Sequence, residues 1–428
     1  MSRPSAPIHK LSPMVLLYLA AVALPVRYHI GSIQMTGLRT FLALVFIPLL
    51  VLYCRNRPAK GMSIDLLFML FVCWGAVAFS QTSPNHMLEN GGALMLELLG
   101  GFLIARLFVR TAEDFHEVIK ATLIIVTLSL PLAIFESLTG QPPLIAAINA
   151  MPGVNSVASV SIPPRLGLER VQALFAHPIH YGLFGSTLTA LVFVGTAGRW
   201  SLPLRAAGLS AGVFASFLAL SSGAFLSVLL QLFLILWALN LPRWRYRWLA
   251  LAALAIAAYI AVDLISNRTP VRVFFSYATF SAHNAYWRGI IFEWGMVNVW
   301  QNPIFGIGLN DWVRPDFMLS GSMDNFWLVL AVRYGLPGFA LFALAYLSGL
   351  FRVAFAPLPP ELQAMRRAWV ICFAGLTFTL CTVHIWTSIF SYVFFLFGAG
   401  LWLLAPVPEP ARPKREAPRF TRFPAVPA

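Results

Sequence analysis

The chain has 428 residues, of which 59% are hydrophobic and 11% charged, with a formal net charge of +14 and a mean hydropathy of +0.77. A soluble domain of ordinary composition is excluded, since so much apolar side chain could not be kept from water. Long apolar runs recur to the end of the chain, so the fold class expected is all-α: a polytopic membrane protein.

In chain order, twelve spans are expected, at about 11–27, 33–54, 63–80, 91–109, 116–138, 176–197, 203–220, 222–241, 247–265, 324–351, 368–386 and 388–405. The division between the seventh and eighth rests on a single break, Ser221–Gly223. The first run lacks a convincing small-residue cleavage site, so it reads as a span and not as a removed leader. Cys54, Cys73, Cys372 and Cys381 fall in or at the ends of apolar runs without CxxC or metal spacing, and read as packing residues. Residues 1–405 therefore form one transmembrane domain, and 406–428 a basic, Pro-rich tail expected to be disordered.

Orientation follows from the basic residues. Of 30 Lys and Arg, 21 fall on the side that carries both termini, and nine on the other: Arg27, Arg39, Arg165, Arg170, Arg268, Arg272, Arg288, Arg314 and Arg333. Both termini are thus expected in the cytoplasm, and two long loops, about 139–175 and 266–323, outside it. The positive charge serves topology and anionic headgroups, so no nucleic-acid partner is called for.

The minority arginines each invite a reason. The first external loop ends with Arg165 and Arg170, then enters a span through AHPIHYG. A guanidinium fork at the outer membrane face suits diphosphate oxygens, although each arginine alone could equally snorkel to headgroup phosphates. His177 and His180 stand at i and i+3, on one helical face. They either line an external cavity or satisfy backbone groups at the helix start. No Cys, Asp or Glu lies at a spacing that would make them metal ligands. Glu97, Glu136 and His384 read as ionisable groups within spans, hence as functional candidates. Glu136, near the outer end of its span, is the better placed of the two acids.

The second loop holds Arg268, Arg272, Arg288 and Arg314. Trp287, Ile290, Ile291, Trp294, Val297 and Asn298 recur at helical spacing, which predicts a short amphipathic helix on the bilayer surface or the protein body. NPIFGIGLN, after it, is a Pro/Gly-punctuated turn. Asp311 and Asp316 lie beyond, with no third acidic ligand to complete a metal site, so no metal or cofactor is expected. Where the loop re-enters the membrane stand Asp324 and Asn325. Asp324 is placed to cap the following helix, or to act as a general base at the membrane face. Gly335, Pro337 and Gly338 would loosen or kink that helix.

Four stretches, in order, resemble the O-antigen ligase and O-antigen polymerase superfamily, multi-span C-type glycosyltransferases of bacterial surface polysaccharide assembly. They are Arg170 with FAHPIHYG, SSGAFLSVLLQ (Ser221–Gln231), WRGIIFEWGMVNVWQNPIFGIGLN (Trp287–Asn310) and DNFWLVLAVRYGLPG (Asp324–Gly338). The resemblance implies an undecaprenyl-diphosphate-linked oligosaccharide donor, a glycan acceptor and a periplasmic active face in the bacterial inner membrane. It also implies metal-independent, inverting transfer, and leaves room for other membrane partners in polysaccharide assembly. Arg170 and Arg288 match the family's diphosphate-binding arginines. Arg165, His177, His180, Arg272, Arg314, Asn325 and Arg333 are the further substrate-binding candidates. In the ligase branch a histidine, the proposed base, precedes the asparagine, whereas here Asp324 does. The serine-rich helix also lacks the arginine often found in it. Both departures favour a polymerase of O-antigen, capsule or exopolysaccharide over a ligase acting on lipid A core. A flippase for the lipid-linked unit needs the same anion-binding surface, but should show a charged path through many spans, and intramembrane charge here is sparse.

Overall fold

In the computed structural model, residues 10–405 are described, apart from 32, 57–59, 268, 271–272 and 274–281 and the side chains of 282–285. Expectations placed on Arg268, Arg272 and the tail 406–428 lie outside the described residues.

Each of the twelve apolar segments contains a helix, and among the described residues eight helices are long and apolar enough to cross a membrane. These eight are α2 (Gly37–Arg55), α3 (Met62–Thr82), α4 (Pro84–Phe108), α5 (Ala112–Thr139), α9 (Ser222–Asn240), α10 (Arg247–Ile265), α12 (Phe326–Ala354) and α14 (Thr387–Gly400, extended by a 3₁₀ turn to Leu404). The other four expected spans are α1 (Pro13–Ala23), α7 (Pro178–Phe193), α8 (Leu202–Leu218) and α13 (Pro360–Leu380). The first three are short, and α13 opens with Glu361, Arg366 and Arg367. Among the described residues, two further helices, α6 (Pro143–Asn149) and α11 (Ala282–Gln301), lie in the long loops.

A small sheet was not expected. Strand β1 (Val26–Ile30) pairs antiparallel with β2 (Ile33–Thr36) and with β3 (Asn155–Ser156). VRYHI and IQMT are apolar enough to blend into the neighbouring runs, which hid their β-branched and aromatic alternation. The hairpin shortens the first expected span and sets the start of α2, where Thr36 caps the helix by accepting from the Arg39 N–H at 3.1 Å.

The core is built around α7 and α14, which are buried on nearly every face. A helix apolar all round belongs in such a position. Within it, Gln231 of α9 donates to the Ser186 carbonyl at 2.9 Å and accepts from the Ala190 N–H at 3.2 Å. Buried interhelical bonds of this kind contribute about 0.6–2 kcal/mol each within membranes. Of the cysteines, Cys372 packs in the core as expected, whereas Cys54 and Cys73 face outward. At one end of the bundle, Arg106 grips the Asp65 carboxylate with two bonds of 2.9 and 3.0 Å and also donates to the Lys60 carbonyl.

The opposite end carries the sheet, the long loops and a broken helix. Gly335 leaves helical geometry inside α12 (φ 69°, ψ 178°), as the RYGLPG run led one to expect. A break frees carbonyls that hydrocarbon cannot satisfy. The NPIFGIGLN turn satisfies them. Ile307 N–H donates to Val332 O at 2.8 Å, Gly308 N–H to Arg333 O at 3.2 Å, and Leu336 N–H to Pro303 O at 2.7 Å. The amphipathic helix expected around Trp287–Asn298 is α11, packed against α12 through Trp287, Ile290, Ile291 and Trp294. Buried Asn298 fastens it to the rest of the loop by bonding both the N–H and the carbonyl of Val313, each at 2.8 Å.

Candidate active site

Four elements bring charged groups to the end of the bundle where α12 breaks. The first is the stretch before α7. Arg165 and Leu168 exchange backbone bonds of 2.9 and 3.0 Å across Leu166 and Gly167, both at positive φ, making a tight hairpin. From there Arg165 Nη1 donates to Leu220 O at 2.8 Å, and Arg170 Nε lies 3.5 Å from Ala219 O. Both guanidiniums thus sit at the C-terminal end of α8, where unsatisfied carbonyls and the helix dipole favour cations. The SSG break in the sequence is the device that exposes those carbonyls. Arg165 and Arg170 remain charged at neutral pH, although burial pushes both down, and Arg170, which Arg165 also repels, reaches about 10.

Glu136 secures this stretch. Its two oxygens accept from the N–H groups of Gln172 at 2.8 Å and Ala173 at 3.0 Å. The Gln172 amide then ties Val160, Ala158 and Phe175 together. The acid that the sequence marked as a functional candidate is therefore spent on holding backbone just beyond Arg170.

His177 is the N-cap of α7. Its Nδ1 accepts from the Ile179 N–H at 3.2 Å, so the lone pair lies on Nδ1 and the ring proton on Nε2. Burial and the neighbouring Arg170 hold His177 down to about 4, against the opposing pull of Asp324. It is a neutral N–H donor at physiological pH. His180 is fully buried, with its ring edge-on to Trp386 at 4.1 Å and neither nitrogen hydrogen-bonded. It packs behind the site and does not line the cavity. His384, expected within a span, instead lies in the non-helical connection before α14, stacked near Phe326 and Trp386.

The third element is α11, which carries Arg288. Burial lowers this guanidinium from its usual value, Asp324 counters that, and Arg165 reinforces it. Arg165 is likewise felt by Arg170, and His177 by both Arg170 and Asp324. The arginines of the two loops therefore share one electrostatic neighbourhood, with Asp324 as its carboxylate.

The fourth element is the start of α12. Here the expected cap is corrected: Asn325 caps the helix, accepting from the Leu328 N–H at 3.1 Å. Asp324, one residue earlier, accepts from the Ser322 hydroxyl at 2.8 Å. Arg314, expected to contact substrate, is engaged within its own loop by Asp311, Met318 O and the Trp312 ring.

A cavity of about 430 Å³ is lined by His177, Asp324, Arg333, His384 and Trp386 and by Gly308 to Trp312; Arg165, Arg170 and Arg288 are not on its wall. A smaller one of about 200 Å³ adjoins it, and the two share Val329, Arg333, His384 and Trp386. Arg39, on the smaller cavity, and Trp386, on both, were not singled out from the sequence. Arg39 did stand among the nine minority arginines, and that was the available signal. Among the described residues, no three His, Cys, Asp or Glu side chains gather as a metal ion would require.

The chain matches a family model described as O-antigen ligase over residues 207–343. That stretch runs from within α8 to the middle of α12 and so contains Arg288, Arg314, Asp324, Asn325 and Arg333. It stops short of Arg165, Arg170 and His177. No curated protein matches the chain. The match supports the resemblance to the O-antigen ligase and polymerase superfamily: three of the four motifs fall within residues 207–343, and the Arg170 motif lies outside them.

Proposed function

We propose that this membrane protein polymerises oligosaccharide units carried on undecaprenyl diphosphate at the periplasmic face. The reading is supported by the electrostatic coupling that links Arg165 to Arg170 and to Arg288, and Arg288 to Asp324, a carboxylate on the wall of the cavity of about 430 Å³. The three guanidiniums come from two loops far apart in sequence. Fixed, partly desolvated charge of this kind acts on an anion more strongly than it would in water.

In the reaction, the acceptor hydroxyl oxygen attacks the anomeric carbon of the donor sugar as the bond from that carbon to the diphosphate oxygen breaks. The electron pair of that bond leaves with undecaprenyl diphosphate, and the hydroxyl proton passes to Asp324. Attack opposite the leaving group inverts the anomeric centre. Arg170 and Arg288 stabilise the charge growing on the diphosphate, and the Nε2–H of neutral His177 adds a hydrogen bond to it. The leaving group is already good, so positioning and charge stabilisation suffice and fixed arginines take the part of a divalent cation. Asp324, in place of the ligase-type histidine, favours a polymerase, while the family's description as O-antigen ligase favours a ligase.

The test is replacement of Arg170 and Arg288 by Ala in the host cell, with surface polysaccharide length and lipid-linked intermediates measured. Loss of long chains with single lipid-linked repeats building up on the periplasmic leaflet is expected. Repeats trapped on the cytoplasmic leaflet would indicate a flippase, and unchanged polysaccharide would dismiss both.

A further inference from the structure

The smaller cavity is not accounted for by the diphosphate chemistry. It is lined by Arg39, Asn90, Ala93, Glu97 and Phe390, together with the four residues it shares with the larger one. Arg39 Nε donates to Glu97 Oε1 at 2.7 Å, and its Nη1 to Gln34 O at 3.0 Å. Glu97 also accepts from the Thr387 N–H at the start of α14. Hence polar side chains, Arg39, Asn90 and Glu97 with Arg333 and His384, share the wall of this pocket with aromatic and aliphatic ones. Glu97 sits in a π-helical stretch of α4, Met95–Gly100, a local irregularity that recurs at functional sites.

Strong donors and acceptors in one small chamber, faced by rings, match the chemistry of a pyranose. Its hydroxyls both give and accept hydrogen bonds, and its C–H face packs on aromatic surface. Glu97 already neutralises Arg39, so this guanidinium is not free for a diphosphate, and a prenyl chain offers no hydrogen bond to the polar groups of the wall. The volume suits a single sugar ring.

We infer that this second cavity, between α2, α4 and α14, binds the terminal sugar of the acceptor glycan and presents its hydroxyl across Arg333, His384 and Trp386 to the larger cavity. The inference rests on the reading above that the larger cavity takes the lipid diphosphate, and it adds a separate site with a separate ligand.

The purified protein in detergent is titrated with two probes. One is undecaprenyl diphosphate. The other is a set of oligosaccharide fragments released by mild acid from the host's surface polysaccharide. Ala93→Phe fills the cavity, and Asn90→Ala removes one polar group without adding bulk. Both variants are expected to weaken fragment binding by about tenfold or more and to leave undecaprenyl diphosphate binding within about twofold. Unchanged fragment binding in both overturns the assignment. Loss of undecaprenyl diphosphate binding also overturns it, by giving the chamber to the lipid tail. If wild type binds undecaprenyl diphosphate but no fragment, the second site fails while the first stands. If it binds fragments but no undecaprenyl diphosphate, the diphosphate reading fails instead.

Discussion

Gly335 of α12 and Ile304 of the second loop meet backbone to backbone: a methyl group on Gly335 would lie 2.0 Å from the Ile304 carbonyl oxygen. Gly306 approaches the Val332 carbonyl in the same manner, with 2.5 Å left for a methyl. The break in α12 and the turn that fills it are therefore one joint, and Arg333 and the wall of both cavities depend on it.

Gly335→Ala is expected to undo this joint. Its backbone (φ 69°, ψ 178°) lies in a region essentially reserved for glycine and alone costs an alanine about 1–3 kcal/mol, and the carbonyl contact adds to that. The variant should show a lower melting temperature in detergent and faster proteolysis near residues 303–310, along with lost polymer synthesis. Gly321→Ala is the control, because a methyl there meets nothing closer than 3.5 Å and the backbone is not left-handed. Wild-type-like behaviour of Gly335→Ala would mean the joint is not needed.

Adjacent residues at the start of α12 should separate stability from turnover. Asn325→Ala removes the cap and is expected to destabilise the protein by about 0.5–2 kcal/mol. Asp324→Asn leaves that cap in place and removes the proton acceptor, so turnover should fall by about 10²–10⁴ with little change in melting temperature. Thermal denaturation and in vitro chain extension from lipid-linked repeats check both. Equal losses of stability from the two variants would assign Asp324 a structural role alone.

The sequence made the helices legible, since a span's apolar length is a local property. Arg288 on an amphipathic helix, the Pro/Gly turn and the Gly335 break were readable for the same reason. Contacts between distant segments were not. Glu136 looked functional because nothing local reveals that it holds the Gln172 and Ala173 amides. Asp324 looked like a cap because a one-residue shift in helix start cannot be read from residue type when Asn follows Asp. Arg314 is engaged by Asp311 and Met318 of its own loop, and His384 lies in a loop because α13 ends before Cys381. The sheet was hidden by strands too apolar to stand out from spans.

At the far end of the bundle, the Arg106–Asp65 pair is buried and fully bonded, with Lys60 O on Arg106 and the Tyr53 hydroxyl 2.6 Å from Asp65 Oδ2. Asp65→Ala leaves a guanidinium without its partner, and loss of one member of a buried pair costs about 3–5 kcal/mol. Reduced yield and a lowered melting temperature are expected. Replacing both residues by apolar ones of similar size should restore much of the loss. A fully stable Asp65→Ala would refute the assignment of this pair as a structural anchor.

His177 provides the pH test. Its pKa in the folded protein is about 4, against roughly 6.5 for a free imidazole. On acidification the unfolded chain therefore takes up this proton first. The contribution of a neutral His177 to stability is fully present above about pH 6.5 and is lost as pH falls toward 4. Histidine-selective ¹⁵N NMR should show a ring protonated on Nε2 alone from pH 7 down to about 5, since Nδ1 is occupied by the Ile179 N–H. His177→Asn keeps an acceptor for the cap but withdraws the ring donor from the cavity. Turnover should then drop by about 10², the scale of one preorganised donor to a developing oxyanion. The acid-side loss of stability should become shallower in the same variant. A His177 signal that titrates near 6.5, or one protonated on Nδ1, would rule out the neutral donor.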